Sequence, residues 1–311
     1  MSAASVIQPS KLLKELSELW VSLGKEESGG HGVLRACSMT LIVVSEAADD
    51  PGETLAALMP EHPARAIVVR LDDDAGLSAR VYAQCWMPFG RRQQICSEQV
   101  EIRTAAAQLA DVPSVCLGLI VPDLPVVLWS RCPRLFDLPE FERLLPLVDK
   151  LIVATRDVDD LPRLARLTGP HIADLSWTRL TRWRERIASS LPPGARACDI
   201  KRVVIEFGGA AMPSRAAYLG AWLAARCSDV RPEFIALPDR PRGLCAVTLQ
   251  GDGLDLRLFA GEDETLEVQR GEFSARAAFG PLNDYLLLRE ELRILGRDAV
   301  YEEALRGVLG S

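Results

Sequence analysis

"SMTLIVVSEAADDPGETLAALMPEHPARAIVVRL", residues 38–71, decides the fold. The run from Val33 to Ser45 is rich in β-formers. "GETLAALM" (52–59) then has helical composition, and "RAIVVRL" (65–71) returns to strand. Strand, helix, strand in that order is a crossover unit, which implies a parallel sheet. Upstream, "SKLLKELSELWVSLGKE" (10–26) places Leu12, Leu16, Leu19, Trp20 and Leu23 at helical spacing, with Ser10 available as a cap.

Downstream of the crossover, "LSARVYAQCWMP" (77–88) and "RQQICSEQVEIRT" (92–104) flank "FGR" and read as a hairpin. The segment 105–121 is helical in composition, with Pro113 set to kink or restart it. "LPVVLW" (124–129) and "KLIVATR" (150–156) are strand-like around a helical "LPEFERLLPLVD" (138–149), and "LPRLARLTG" (161–169) is a short helix closed by Gly169. These elements make residues 1–191 a mixed α/β domain with crossover helices and a hairpin edge. "PPGARACD" (192–199) reads as a linker. Residues 200–311 then form a smaller α+β domain: a strand "RVVIEF" (202–207), a helix over 215–229, an antiparallel meander across 243–279, and helices over 281–295 and 298–309. "GDG" (251–253) is good hairpin chemistry within that meander.

The chain has 311 residues, 48% of them hydrophobic and 25% charged, which is globular rather than disordered composition. A formal charge of −7 argues against general nucleic-acid binding, which needs surplus cations to displace counterions. No run of about 18 apolar residues is present, and the start lacks the apolar core of a signal peptide. A cytoplasmic protein without a membrane span is the expectation. Eight cysteines are scattered singly and three histidines (31, 62, 171) sit in loop-like contexts, so neither metal nor cofactor is expected.

Motifs for catalysis are scarce. No G-x-G-x-x-G, phosphate-loop or nucleophile-elbow pattern occurs. Gly208 and Gly209, between a strand and a helix, are the nearest candidate for binding a nucleotide or sugar phosphate, although such pairs often serve only the turn. "GEDE" (261–264) reads as a solvated hairpin turn rather than a metal loop. If the 77–104 hairpin turns between Gly90 and Arg91, Cys85 and Cys96 stand directly opposite each other. A bridge there would be reducible and suited to regulation; the alternative is two thiols that never bond.

"DLSWTRLTRWRERIA" (174–188) has two tryptophans and four arginines in an acidic chain. As one helix over 177–188, it puts Trp177, Leu180, Trp183 and Ile187 on an apolar arc, with Arg179, Arg182 and Arg186 as an adjoining stripe. Tryptophan beside arginine is the composition of interface hot spots, so Trp177, Arg179, Arg182, Trp183 and Arg186 are partner-interface candidates. The competing reading makes both tryptophans core and pairs the arginines with local carboxylates such as Asp174.

"ARAIVV", "QICSEQVEIR", "PSVCLGLIVPDLPVVLW", "DKLIVATR" and "DLSWTRLTRWRE", in this order and spacing, resemble the OpcA family of glucose-6-phosphate dehydrogenase assembly proteins. The likeness is clear over residues 33–190 and looser beyond. It implies a non-enzymatic protein that binds the dehydrogenase and favours its active oligomer. Members of the family often carry proline where this chain has Arg182, which implies a helix starting near Thr181 with Trp177 ahead of it. The regulatory cysteines of cyanobacterial members have no matching positions here, so Cys85 and Cys96 rest on hairpin geometry alone.

Overall fold

The structure, a computed structural model, describes residues 7–26, 33–74, 76–86, 94–194, 196–227, 230–261 and 263–310. The chain divides into two compact units, and neither is one continuous stretch.

The first unit comprises residues 1–153, 168–172 and 284–296. Its sheet contains β1 (Val33–Arg35), β2 (Met39–Glu46), β3 (Ala64–Leu71), β4 (Ser78–Trp86), β5 (Gln94–Thr104), β6 (Val126–Ser130), β7 (Lys150–Val153) and β8 (His171–Asp174). The order is β1-β5-β3-β2-β6-β7-β8, with β4 paired to β5. The contacts of β2 with β3 and β6, of β3 with β5, and of β6 with β7 are parallel, while β4–β5 is antiparallel. The crossover expected from residues 38–71 is therefore present: α2 (Gly52–Leu58) connects β2 to its parallel neighbour β3. Ile42, Val43 and Val44 of β2 and Ile67, Val68 and Val69 of β3 are fully buried, the condition of strands covered on both faces.

Helix α1 (Pro9–Glu26) buries Leu12 and Leu16. Its Trp20 Nε1 donates to Glu98 Oε1 at 2.7 Å, and Arg65 Nε donates to Glu98 Oε2 at 2.6 Å. Pro113 restarts a helix: a 3₁₀ segment Ala106–Asp111 passes into α3 (Val112–Leu119) with the proline in its first turn. The expected α-helix over 138–149 is instead a 3₁₀ run, Pro139–Leu147, with Pro146 inside it. A proline without N–H cannot complete an α-helical ladder there.

The second unit comprises residues 154–167, 173–283 and 297–311. It includes α4 (Leu161–Leu164), while Gly169, at φ +111° in the left-handed region that glycine tolerates, falls in the first unit's 168–172 segment. After α5 (Leu175–Thr178), α6 (Thr181–Ser190) and β9 (Ile200–Gly208), α7 (Ser214–Arg226) crosses over to β10 (Glu233–Leu237), parallel to β9. The meander β11 (Gly243–Gly251), β12 (Leu254–Ala260), β13 (Thr265–Arg270) and β14 (Phe273–Ala278) is antiparallel throughout. The sheet order is β10-β9-β11-β12-β13-β14. Leu254, Leu256 and Leu258 point inward while Asp255 and Arg257 are exposed, the period-2 pattern of a half-buried strand.

Residues 284–296 return to the first unit as α8 (Asp284–Glu291), not to the second as the meander-then-helices order implied. The return buries Leu287, Leu288 and Leu292 and is joined by charge: Arg131 bonds Asp284 at 2.5 Å, Arg289 bonds Glu61 at 2.7 Å, and Lys150 Nζ donates to Glu291 Oε2 and to the carbonyls of Glu291 and Ile294, each at 2.8 Å. Helix α9 (Ala299–Leu309) belongs to the second unit and packs on α7. The expected linker 192–199 lies inside the second unit, and residues 174–191, read with the N-terminal domain, cluster there as well.

Candidate functional site

The tryptophan–arginine segment is two helices rather than one. Asp174 ends β8 and caps α5, its Oδ1 accepting from Ser176 N at 2.8 Å. The chain turns at Arg179–Leu180, and α6 starts at Thr181, as the family pattern implied, so Trp177 precedes it. The single helix over 177–188 does not form. Its apolar arc survives in burial all the same: Trp177, Leu180, Trp183 and Ile187 are all buried.

Asp174 is not an arginine partner. Besides Ser176 N it receives Thr155 N at 3.2 Å, the Thr155 hydroxyl, and Tyr218 Oη at 2.9 Å. Burial is the largest influence on the carboxyl and pushes it up to about 6, while these four donors pull the other way. Tyr218 Oη also lies 3.4 Å from Tyr301 Oη, and Trp177 meets the Tyr218 ring edge-on with centroids 6.0 Å apart. Sequence reasoning did not find this buried cluster, because its members come from residues 155, 174, 218 and 301.

The arginines are largely committed to the fold. Arg179 Nη1 donates to Leu282 O at 2.5 Å, and Arg182 donates to Gly280 O at 2.8 Å and Ala278 O at 3.0 Å. Arg182 also lies over the Phe279 ring at 4.3 Å, and Trp183 meets the same ring edge-on at 5.4 Å. Arg184 stacks 3.7 Å from the Trp177 ring centre. Of the five interface candidates, Trp177 and Trp183 are buried, Arg179 and Arg182 are half-buried, and Arg186 is exposed. A partner meeting this segment from solvent would therefore meet Arg186 with Glu185, Ala188 and Ser189, not the tryptophans.

The glycine pair has a structural explanation. A Cβ on Gly208 would stand 2.0 Å from Pro241 O, and Gly209 has φ +91°. Close backbone approach and a left-handed residue both require glycine here. Asp157 and Arg242 form an ion pair nearby, and Ser214 Oγ donates to Asp157 O at 2.8 Å.

In the first unit, β4 and β5 place Cys85 opposite Cys96, and the two sulfurs are bonded, with Cα atoms 4.0 Å apart. The turn at Gly90–Arg91 lies outside the described residues, as does His31. The same strand pair carries a cavity of about 230 Å³ lined by Ser78, Ala79, Arg80, Glu101 and Arg103. Glu101 is buried and accepts from Arg80 (2.9 Å), Arg103 (2.8 Å) and Arg70 (3.1 Å). Although burial opposes ionisation, those bonds hold its carboxyl down at about 2. His62 and His171 do not join the Asp174 cluster; burial pulls His62 below its ordinary value and His171 is exposed on β8. Among the described residues, no group of three or more His, Cys, Asp or Glu is placed to hold a metal ion, and no helix is long and apolar enough to cross a membrane.

Two α/β units, each with its own mixed sheet and helices, define a two-unit α/β protein whose most function-prone segment is built into the second unit. Its sequence matches two family models in series: the glucose-6-phosphate dehydrogenase subunit N-terminal domain over residues 55–168, and the corresponding C-terminal domain over 170–305. The chain belongs to the OpcA family. OpcA of Synechocystis sp., named for the OxPP cycle, is 31% identical over 83% of this chain and 64% of its own. OpcA of Nostoc punctiforme is 31% identical over 50% of this chain and 35% of its own. OpcA of Synechococcus elongatus is 25% identical over 76% of this chain and 64% of its own. The chain thus spans less than two thirds of the length of these relatives. Among solved structures, the dehydrogenase MviM of Clostridium difficile aligns with 86% of this chain and 96% of its own at 9% identity and a TM-score of 0.47. That likeness is too remote to bear on function.

Proposed function

We propose that this protein is a non-catalytic assembly and activation factor that binds glucose-6-phosphate dehydrogenase in the cytoplasm and favours its active oligomer. The observation that carries this reading is the tandem match to both dehydrogenase-subunit domain families across residues 55–305. The mechanism is preferential binding: a protein that binds one oligomeric state better than another shifts the population toward it by its differential affinity. Such a role needs surface complementarity rather than an arrangement of acid, base and nucleophile. It is compatible with a tryptophan–arginine segment whose side chains mostly build the fold.

Mixing the purified protein with the dehydrogenase of the same organism tests it. The expected result is a faster-sedimenting complex and a higher rate at limiting substrate. Unchanged sedimentation and unchanged rate at micromolar concentrations overturn it. The alternative, a nucleotide- or sugar-phosphate enzyme built on Gly208 and Gly209, has weaker support, because backbone packing already accounts for both glycines.

A further inference from the structure

We propose that the cavity on β4 and β5 binds a phosphate group, free or carried by a small ester, through Arg80 and Arg103. This goes beyond the assembly role and does not rest on it.

Strand register brings the charges of this cavity together. Across the antiparallel β4–β5 pair, Arg80 stands opposite Glu101 and Ser78 opposite Arg103. Directly opposite residues share a face, as do residues two apart along a strand, so all four side chains project from one side of the sheet. Arg80 Nη2 and Arg103 Nε both donate to one oxygen, Glu101 Oε1, at 2.9 Å and 2.8 Å. Two nitrogens bonded to the same atom are close neighbours, so those bonds set the nearness of the two guanidinium groups. The cavity, of about 230 Å³, is lined by these four residues and Ala79. One water needs about 10–15 Å³ of such space, so the cavity admits a ligand of many atoms.

The charges do not cancel. Glu101 is the one carboxylate in the lining, and three arginines share it. Arg70 has a second counter-ion in Asp50 at 2.6 Å and uses its remaining nitrogen on Asp49 O. Arg80 and Arg103 have no second counter-ion: among the described residues, each donates only to Glu101, through one nitrogen. Two guanidinium groups therefore divide one negative charge, and a surplus positive charge stays on the cavity wall. Arg80 keeps Nε and Nη1 for a ligand, and Arg103 keeps both terminal nitrogens. Both side chains are partly exposed, so a ligand reaches them without opening the fold. Buried Glu101 anchors the two forks, and the Tyr82 ring, 5.9 Å from the Arg80 guanidinium carbon, adds a cation–π contact.

A carboxylate fills one arginine fork, whereas a phosphate has enough terminal oxygens to bridge two guanidinium groups that meet at a point. The lining offers no large apolar surface for a nucleobase, while the exposed Ser78 hydroxyl suits a hydroxylated substituent. Inorganic phosphate and a small phosphate ester share this chemistry, and the test separates them.

The full chain is titrated calorimetrically at low ionic strength with inorganic phosphate and, separately, with glycerol 3-phosphate. Wild type, R80Q, R80K, R103Q and R297Q are compared; Arg297 pairs with Glu302 in the second unit and controls for the loss of a surface cation. Wild type and R297Q are expected to bind with equal affinity. R80Q and R103Q should each lose about tenfold or more, as when a charge-assisted bond is removed, and R80K should recover part of the loss. Tighter binding of the ester than of inorganic phosphate assigns a phosphate ester, and equal or weaker binding assigns free phosphate. No heat from either probe with wild type overturns the proposal, as does wild-type affinity in R80Q or R103Q, or an equal loss in R297Q. Glu101 keeps two arginines in either single variant, so both should fold. Should one melt early without ligand, the other carries the test under the same criteria. Since the dehydrogenase is absent from the titration, failure here leaves the assembly role standing.

Discussion

Asp174 shows how one residue can be essential to a fold without touching solvent. Four donors converge on its carboxylate, and D174N would set an amide N–H₂ against donors that need an acceptor. A loss of about 1–3 kcal/mol follows from leaving buried groups unsatisfied. The pH dependence has a definite sign. The folded carboxyl is raised to about 6 from 3.8, so the native state holds a proton that the unfolded chain releases. Its stabilising contribution is full below about pH 4 and disappears as pH rises through about 6, up to roughly 3 kcal/mol in all. In urea titrations the advantage of wild type over D174N should therefore shrink between pH 4.5 and 7; a constant difference would show that burial does not raise this group. The same scale separates the two roles of the arginines. R182E should lower the melting temperature, because Arg182 holds the carbonyls of residues 278 and 280 and covers Phe279. R186E should fold normally, because Arg186 is exposed, and should weaken dehydrogenase binding if this face meets the partner. Binding as tight as wild type by folded R186E would leave the segment a structural role only.

At the scale of elements, some features were legible from local pattern. The β2–α2–β3 crossover was evident because its apolar runs and helical interlude are contiguous. The break between α5 and α6 is marked by no glycine or proline at Arg179–Leu180, so it was legible only through the family resemblance; locally, Asp174 caps α5 and α6 starts anew at Thr181. A hairpin turn between Gly90 and Arg91 puts Cys85 opposite Cys96, and the strand register has them there. Their bond crosses from edge strand β4 to β5 and closes a loop with a sequence separation of 11. A cross-link of that span is worth about 2–3 kcal/mol in the chain-entropy account. Reduction with dithiothreitol should lower the urea midpoint accordingly and raise amide exchange first in residues 78–104. If reduction left both unchanged, the pair would have no mechanical role, and a regulatory one would lose its basis.

For the whole molecule, the division into units was the part of the fold least visible in the sequence. The proline pair at 192–193 looks like a boundary, yet residues 284–296 pack with the first unit, where Lys150–Glu291 and Arg131–Asp284 pairs join segments that no local pattern connects. A fragment ending at Leu191 would lack α8 and strand α4–α6 without the sheet they belong with. It should show weak near-ultraviolet dichroism and no cooperative melt, while residues 1–296 should retain the first unit's protection from amide exchange. A sharp melt of the 1–191 fragment would restore the simpler division. The return of α8 also has a consequence for synthesis on the ribosome. Residues 64–71 and 126–130 can pair with β2 early, and Arg131 can meet Asp49, but the α8 partners of Lys150 and Glu61 emerge only after the entire meander has been made. The unit whose translation starts first is thus completed late, and until then the Lys150 ammonium and the Glu61 carboxylate stay open to chaperones rather than to α8.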